Sequence, residues 1–113
     1  MHELALARSL ADLVEEEACR AGAARVRLVR VALGALGHVT PEAIRFCFDA
    51  ATRGTRAEGA AFDIVIVPGL GRCESCGRAV RLAERFAPCP ECGGERVRMT
   101  AGDELRLIEM EVE

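Results

Sequence analysis

Apolar residues recur at three- and four-residue steps from the start of the chain: Leu6, Leu10, Leu13 and Val14, with Ala7 and Ala18 completing the stripe. That spacing predicts an amphipathic helix over residues 3–21. Glu3 stands in its first turn and Arg20 in its last, each complementing the nearer end of the macrodipole, and Gly22 supplies a stop. Over residues 25–33 the pattern changes to Arg-Val-Arg-Leu-Val-Arg-Val-Ala-Leu, β-branched and partly alternating, which predicts a strand. Gly34 and Gly37 then bound a loop that carries His38. Thr40-Pro41 reads as a helix start, with Thr as N-cap and Pro pre-set at the first helical position. This helix would run to about Thr52 and bury Ile44, Cys47, Phe48 and Ala51. Residues 61–67 predict a second strand, ended by Pro68-Gly69. Residues 103–112 predict a third, with Leu105 and Leu107 on one face and Ile108, Met110 and Val112 on the other.

These elements predict an α+β fold: a three-stranded sheet with two helices on one face, interrupted by an inserted, zinc-ribbon-like cysteine module. The expected division is one domain of residues 1–68 and 101–113 and a smaller one of residues 69–100. Half of the residues are apolar, yet there is no Trp or Tyr and only four Phe, so the core must be aliphatic. A chain of 113 residues builds a marginal core, and a metal or disulfide staple is common at this size.

No apolar run approaches the roughly 20 residues of a membrane-spanning helix. Glu3 and the Glu15-Glu16-Glu17 run do not fit a secretory or transit leader, so a cytoplasmic protein is expected. In that compartment thiols stay reduced, and six cysteines point to a metal before disulfides. Net charge is −3, with every cationic side chain an Arg, which argues against a nucleic-acid binder. The charge is uneven: residues 69–100 hold six Arg against four Glu, and residues 101–113 hold one Arg against five acids.

Cysteines at 73, 76, 89 and 92 follow the pattern Cys-x2-Cys-x12-Cys-x2-Cys. Two intervening residues let both thiolates of a pair wrap one tetrahedral metal from a single tight turn, and two such turns close a four-sulfur shell. Gly77 and Gly93 each follow a pair directly and allow the positive φ such turns need. Pro88 and Pro90 restrict the loop around Cys89. Redox pairs or two disulfides are the alternative, but neither pair opens a helix after a strand, as thioredoxin-like chemistry requires. Zinc held by Cys73, Cys76, Cys89 and Cys92 is therefore expected. Cys19 and Cys47 lack ligand spacing and read as small buried hydrophobes. Such a module serves many functions and names none.

Met1-His2-Glu3 offers a second metal chemistry. The chain amine, the backbone nitrogen of His2 and its imidazole can close fused chelate rings on one ion, and Glu3 can add an oxygen. The amine, with an ordinary pKa of about 7.7–8.0, can lose its proton to a metal near neutral pH. A nitrogen-rich set of this kind suits Ni(II) or Cu(II). A His at position two often has no function, and this tripeptide alone does not decide. His38 reads most simply as a solvated loop residue.

The tripeptide and first helix, Leu33-Gly34-Ala35-Leu36 leading to Val39-Thr40-Pro41-Glu42-Ala43-Ile44-Arg45-Phe46, Cys73-Glu74-Ser75-Cys76-Gly77 with Cys89-Pro90-Glu91-Cys92-Gly93, and Gly102-Asp103-Glu104-Leu105 together resemble the HypA/HybF family. The resemblance spans the chain in order and length. It implies a nickel metallochaperone of [NiFe]-hydrogenase maturation, with Ni(2+) held by Met1, His2 and Glu3 and Zn(2+) by the four cysteines. Some members add an acidic residue in the loop before the second helix; Thr40 stands there, which leaves Glu42 or His38 as substitutes. The implied partners are a hydrogenase maturation GTPase and the hydrogenase large subunit, with urease maturation proteins in some members. No enzymatic activity, nucleic acid or membrane is implied, and no phosphate loop or nucleophile–base arrangement contradicts that.

Overall fold

The computed structural model describes residues 2–113. The Met1 ligand named above lies outside the described residues.

The first helix, α1, is His2–Arg20, one residue earlier than the apolar spacing suggests. Its buried face is Ala7, Leu10, Ala11, Val14 and Ala18. Leu13, expected in that stripe, is exposed, and Leu6 is half-buried. At 3.6 residues per turn, Leu6 and Leu13 lie roughly 100–120° round the helix from the centre of the alanine-rich face. Small side chains there let a second helix approach closely. Cys19, expected to be buried, is exposed because it follows Ala18 off the same face. The helix ends on paired backbone bonds, Ala23 N–H to Ala18 O (2.9 Å) and Gly22 N–H to Cys19 O (3.0 Å), which satisfy its last carbonyls.

Strand β1 is Val26–Gly34 and helix α2 is Pro41–Ala51. Thr40 caps α2 as the sequence predicts, its Oγ1 accepting from Ala43 N–H at 3.1 Å, with Pro41 at the first position. Ile44 and Phe48 are buried, whereas Cys47 and Ala51 reach only half-burial. The buried Thr52 closes the helix, its hydroxyl donating to Phe48 O at 2.9 Å. Strand β2 is Ala61–Val67, and its Phe62 stacks on Phe48 at a centroid separation of 4.4 Å.

Short strands β3 (Gly69–Cys73), β4 (Ala79–Leu82) and β5 (Val97–Ala101) follow, and β6 (Leu105–Val112) is last. One sheet has the order β2-β1-β6. Ala35 N–H bonds to Val67 O, and Arg30 to Asp63, so β1 and β2 run parallel with α2 as the crossover. Arg25 exchanges bonds with Glu113 and Gly34 N–H bonds to Glu104 O, so β6 runs antiparallel to β1. Arg30 ties all three strands, reaching Asp63 at 2.6 Å on β2 and also Glu109 on β6. The other sheet, β4-β3-β5, is antiparallel.

By packing, the chain forms two compact units. The first comprises Met1–Val31, Val39–Val65 and Arg106–Glu113; the second comprises Ala32–His38 and Ile66–Leu105. In the first, the two helices pack together, and their buried faces with Val26, Val29 and Val31 of β1 make a core that is aliphatic apart from Phe48. In the second, Leu36 joins Cys73, Val80, Leu82 and Cys89 in a small cluster, with Ala87, Val97 and Met99 packed against it. The 34–36 segment is fixed there by Gly34 N–H to Glu104 O and Leu36 N–H to Gly102 O, both 2.7 Å. This approach leaves no room for a side chain: a Cβ on Gly34 would lie 2.1 Å from Gly102 O.

Two substitutions test these constraints. Gly34→Ala should destabilise the protein by more than about 2 kcal/mol, because the clash is with backbone and cannot be relieved by a rotamer change. Thr40→Ala should cost about 1 kcal/mol, the usual value of a lost N-cap. Chemical denaturation followed by helical signal measures both. A Gly34→Ala midpoint equal to that of the parent would refute the close approach.

Candidate metal centre

Two turns bring the cysteines together. Cys73 ends β3, and its N–H bonds to Arg78 O at 3.0 Å across the turn that carries Cys76. Gly77 N–H returns to Cys73 O at 2.8 Å. The second turn repeats the pattern, with Cys89 N–H to Gly94 O at 2.8 Å and Gly93 N–H to Cys89 O at 2.9 Å. Gly77 and Gly93 have φ of 75° and 76°, the left-handed geometry expected of them. Arg78 pairs with Glu91 at 3.2 Å, linking one turn to the other.

All four sulfur atoms lie within 4.8 Å of one another. Cys73 Sγ is 3.6 Å from Cys92 Sγ, and Cys76 Sγ is 3.9 Å from Cys89 Sγ. A disulfide needs about 2.05 Å, so none is formed. A zinc–sulfur bond of about 2.3 Å makes the edge of a sulfur tetrahedron about 3.8 Å, which both distances match. Backbone donors face the sulfurs: Cys76 N–H to Cys73, Glu91 N–H to Cys89 and Gly94 N–H to Cys92, each at 3.4 Å. Such donors stabilise thiolates and orient their lone pairs, as outer partners of a metal site do. Cys73 and Cys89 are buried, while Cys76 and Cys92 lie at the surface.

The electrostatics call for a cation. The Cys73 thiol is pulled down to about 6, first by the Cys76 N–H and then, against burial, by the Ser75 N–H and the Cys92 sulfur. Gly94 N–H favours the Cys92 thiolate, but the crowding sulfurs of Cys73, Cys89 and Cys76, together with burial, prevail and push Cys92 up to about 11. Negative charge on one sulfur thus holds a proton on the next. A divalent ion at the centre removes that conflict and displaces the proton.

Sequence reasoning passed over Gly94. A Cβ there would meet Ser75 Oγ at 2.9 Å and Cys92 Sγ at 3.3 Å, so the second turn needs glycine for close approach as well as for φ. The doubled glycine after Cys92, absent after Cys76, was the available signal.

The remaining candidates are placed as follows. His2 opens α1 and is exposed; Glu3 follows it, half-buried, with its carboxylate held below the usual range first by its own backbone N–H. Glu42 is exposed in the first turn of α2, and His38 is exposed in the loop after β1. Among the described residues, the four cysteines are the one cluster of three or more His, Cys, Asp or Glu with ligand atoms close enough to share an ion. Among the described residues, no helix is long and apolar enough to cross a membrane.

Comparison with known proteins agrees with this arrangement. A family model described as hydrogenase/urease nickel incorporation, metallochaperone, hypA matches residues 1–112. The hydrogenase maturation factor HypA of Methylocella silvestris is 62% identical over 113 residues, covering 100% of both chains. The factor of the same name from Dechloromonas aromatica is 47% identical, again over 100% of both. Among solved structures, a solution structure of HypA protein has a TM-score of 0.75 at 26% identity, covering 100% of this chain and 97% of that one. The solution structure of the Ni metallochaperone HypA from Helicobacter pylori has a TM-score of 0.72 at 24% identity, covering 97% and 96%, and at that identity speaks for the fold. The chain belongs to the HypA family of hydrogenase/urease nickel-incorporation metallochaperones.

Proposed function

We propose that this protein binds Ni(II) at its N-terminus and delivers it for [NiFe]-hydrogenase maturation, while Cys73, Cys76, Cys89 and Cys92 hold a structural zinc ion. Residues 1–68 with 101–113 form the nickel-handling domain, and residues 69–100 the zinc domain. The observation that carries the nickel assignment is the exposed His2 at the first position of α1, in a chain matched from residue 1 by a nickel-incorporation family. The first N–H groups of a helix have no intrahelical acceptor, so the His2 amide can give up its proton to a binding metal without breaking a helical hydrogen bond. With the Met1 amine and the imidazole it makes a chelate, and Glu3 supplies an oxygen. The positive end of the helix dipole opposes a cation, and the ionised Glu3 offsets it. Glu42 or His38 is a candidate for a further ligand.

The protein works as a carrier in the cytoplasm and not as an enzyme. Its recipients are a maturation GTPase and the hydrogenase large subunit, with urease maturation proteins as a second outlet. A nickel site made from the chain terminus is solvent-facing, which suits handover by ligand exchange. The cysteine site has the opposite character. Its four ligands leave no open position, so zinc there supplies folding energy.

Metal analysis of the purified protein should give close to one zinc per chain. Cys73→Ser should lose that zinc and, with it, the ordered structure of residues 69–100. Gly94→Ala should weaken zinc about tenfold or more by displacing the Cys92 sulfur. A stoichiometry of zero with the module still ordered would overturn the zinc assignment.

Zinc retention should fall as pH falls. Protons compete with the metal for the four thiolates, so acidification shifts the balance toward free thiols and released zinc. Zinc release followed by a chromogenic chelator during acidification reads this directly.

His2→Ala should abolish nickel binding with zinc content and helical signal unchanged. Adding one or two residues before Met1 should do comparable damage, because the chelating amine becomes an amide. Calorimetric nickel titration of the untagged protein decides. Equal affinity in the extended protein would remove the amine from the ligand set.

A further inference from the structure

The sheet β4-β3-β5 has two unlike faces. Gly69, Gly71, Cys73, Val80 and Leu82 point inward and are buried. Leu70, Arg72, Ala79, Arg81 and Arg98 point outward and are exposed. The register sets Arg72 directly opposite Arg98 on β5 and opposite Ala79 on β4, with Arg81 opposite Leu70. Arg81 is thus a diagonal neighbour of Arg72, and three guanidinium stems rise from adjacent strands within about 12 Å, two strand spacings across and two residues along.

No acidic residue occurs in these strands. Nearby Arg78 and Arg85 are paired, with Glu91 and Asp103. Among the described residues, Arg72, Arg81 and Arg98 have no carboxylate within ion-pairing distance. Arg72 donates one bond to Gly77 O at 2.7 Å and otherwise faces solvent. Like charges directly opposed across a ladder destabilise it, so this arrangement costs the sheet stability that a neutral residue at 98 would restore. At the centre of the row Leu70 is 39% exposed.

We propose that this face docks an acidic protein surface, in which carboxylates flank an apolar side chain seated on Leu70 and Ala79. Arginine is enriched at protein–protein interfaces and among their hot spots. A nucleic acid fits less well. The chain carries a net charge of −3, the face has no aromatic side chain for bases to stack on, and three arginines are few for a polyanion. The inference is independent of the nickel assignment, since neither the face nor its test involves the N-terminus.

The test uses the full, zinc-loaded protein in about 0.1 M salt, where surface charge is partly screened. The probes are a blocked synthetic peptide of alternating Glu and Leu, a 20-base-pair DNA duplex and inorganic phosphate. NMR of the arginine Nε–H and Leu70 methyl signals is the readout. The peptide should shift the signals of Arg72, Arg81, Arg98 and Leu70 together. Arg98→Glu and, separately, Arg81→Ala should each weaken the peptide about tenfold or more. Arg106→Glu on β6 should leave peptide binding unchanged. Arg98→Glu should also raise the thermal midpoint, because the new carboxylate faces Arg72, a signature that separates lost docking from lost fold. Four results would overturn the proposal: no shift with peptide, equal shifts with phosphate alone, tighter binding of the duplex than of the peptide, or unchanged peptide binding in Arg98→Glu and Arg81→Ala.

Discussion

Four sulfur atoms within 4.8 Å of one another, none bonded to another, are stable as thiolates only around a cation. The second packing unit rests on that constraint. Its core cluster is small, and two of its five buried members, Cys73 and Cys89, are themselves ligands. Core and metal site are therefore one object. Apparent zinc-binding free energies of about 10–16 kcal/mol in comparable small modules exceed what such a cluster can supply by burial. The turns at Gly77 and Gly93 and the backbone donors to sulfur serve the same end, since they let the chain bend sharply enough to point two thiolates at one centre.

Among its described residues, the first unit holds no comparable ligand cluster. Its stability comes from ordinary burial, with an alanine face on α1, Ile44 and Phe48 on α2 and the valines of β1. That mode of stability suits the nickel site proposed at the start of α1. Helix α1 begins at His2, which is exposed, with Glu3 half-buried beside it. On the proposed function, a closed four-sulfur site suits retention of its metal, and an open, terminal one suits release.

Much of this was legible in the sequence because the local chemistry is unambiguous. Thr40-Pro41 set the start of α2, the Cys-x2-Cys spacing set the sulfur cluster, and the β-branched runs marked β1 and β2. The misses have physical causes. The apolar spacing of α1 counted leucines, but the close approach of two helices favours alanine, so Leu13 and Cys19 fell outside a face centred on Ala7, Ala11 and Ala18. Strands β3 to β5 were not anticipated individually. Gly69 and Gly71 occupy the inward positions of β3, where Leu36 and Val97 press against the backbone, and glycine reads locally as loop. Leu36 itself looked like a loop residue. Only the tertiary structure reveals that Gly34 and Gly102 bring it into the cysteine cluster.

A metal at the four sulfurs should organise residues 66–105. Hydrogen exchange on the protein before and after complete zinc chelation tests it most directly. The account predicts that the amides of Cys73, Gly77, Cys89 and Gly93, which close the two turns, lose their protection on chelation. The amides of α2 and of its C-cap Thr52, bonded to Phe48 O, should remain slow. Unchanged protection of the four turn amides in the metal-free protein would contradict it.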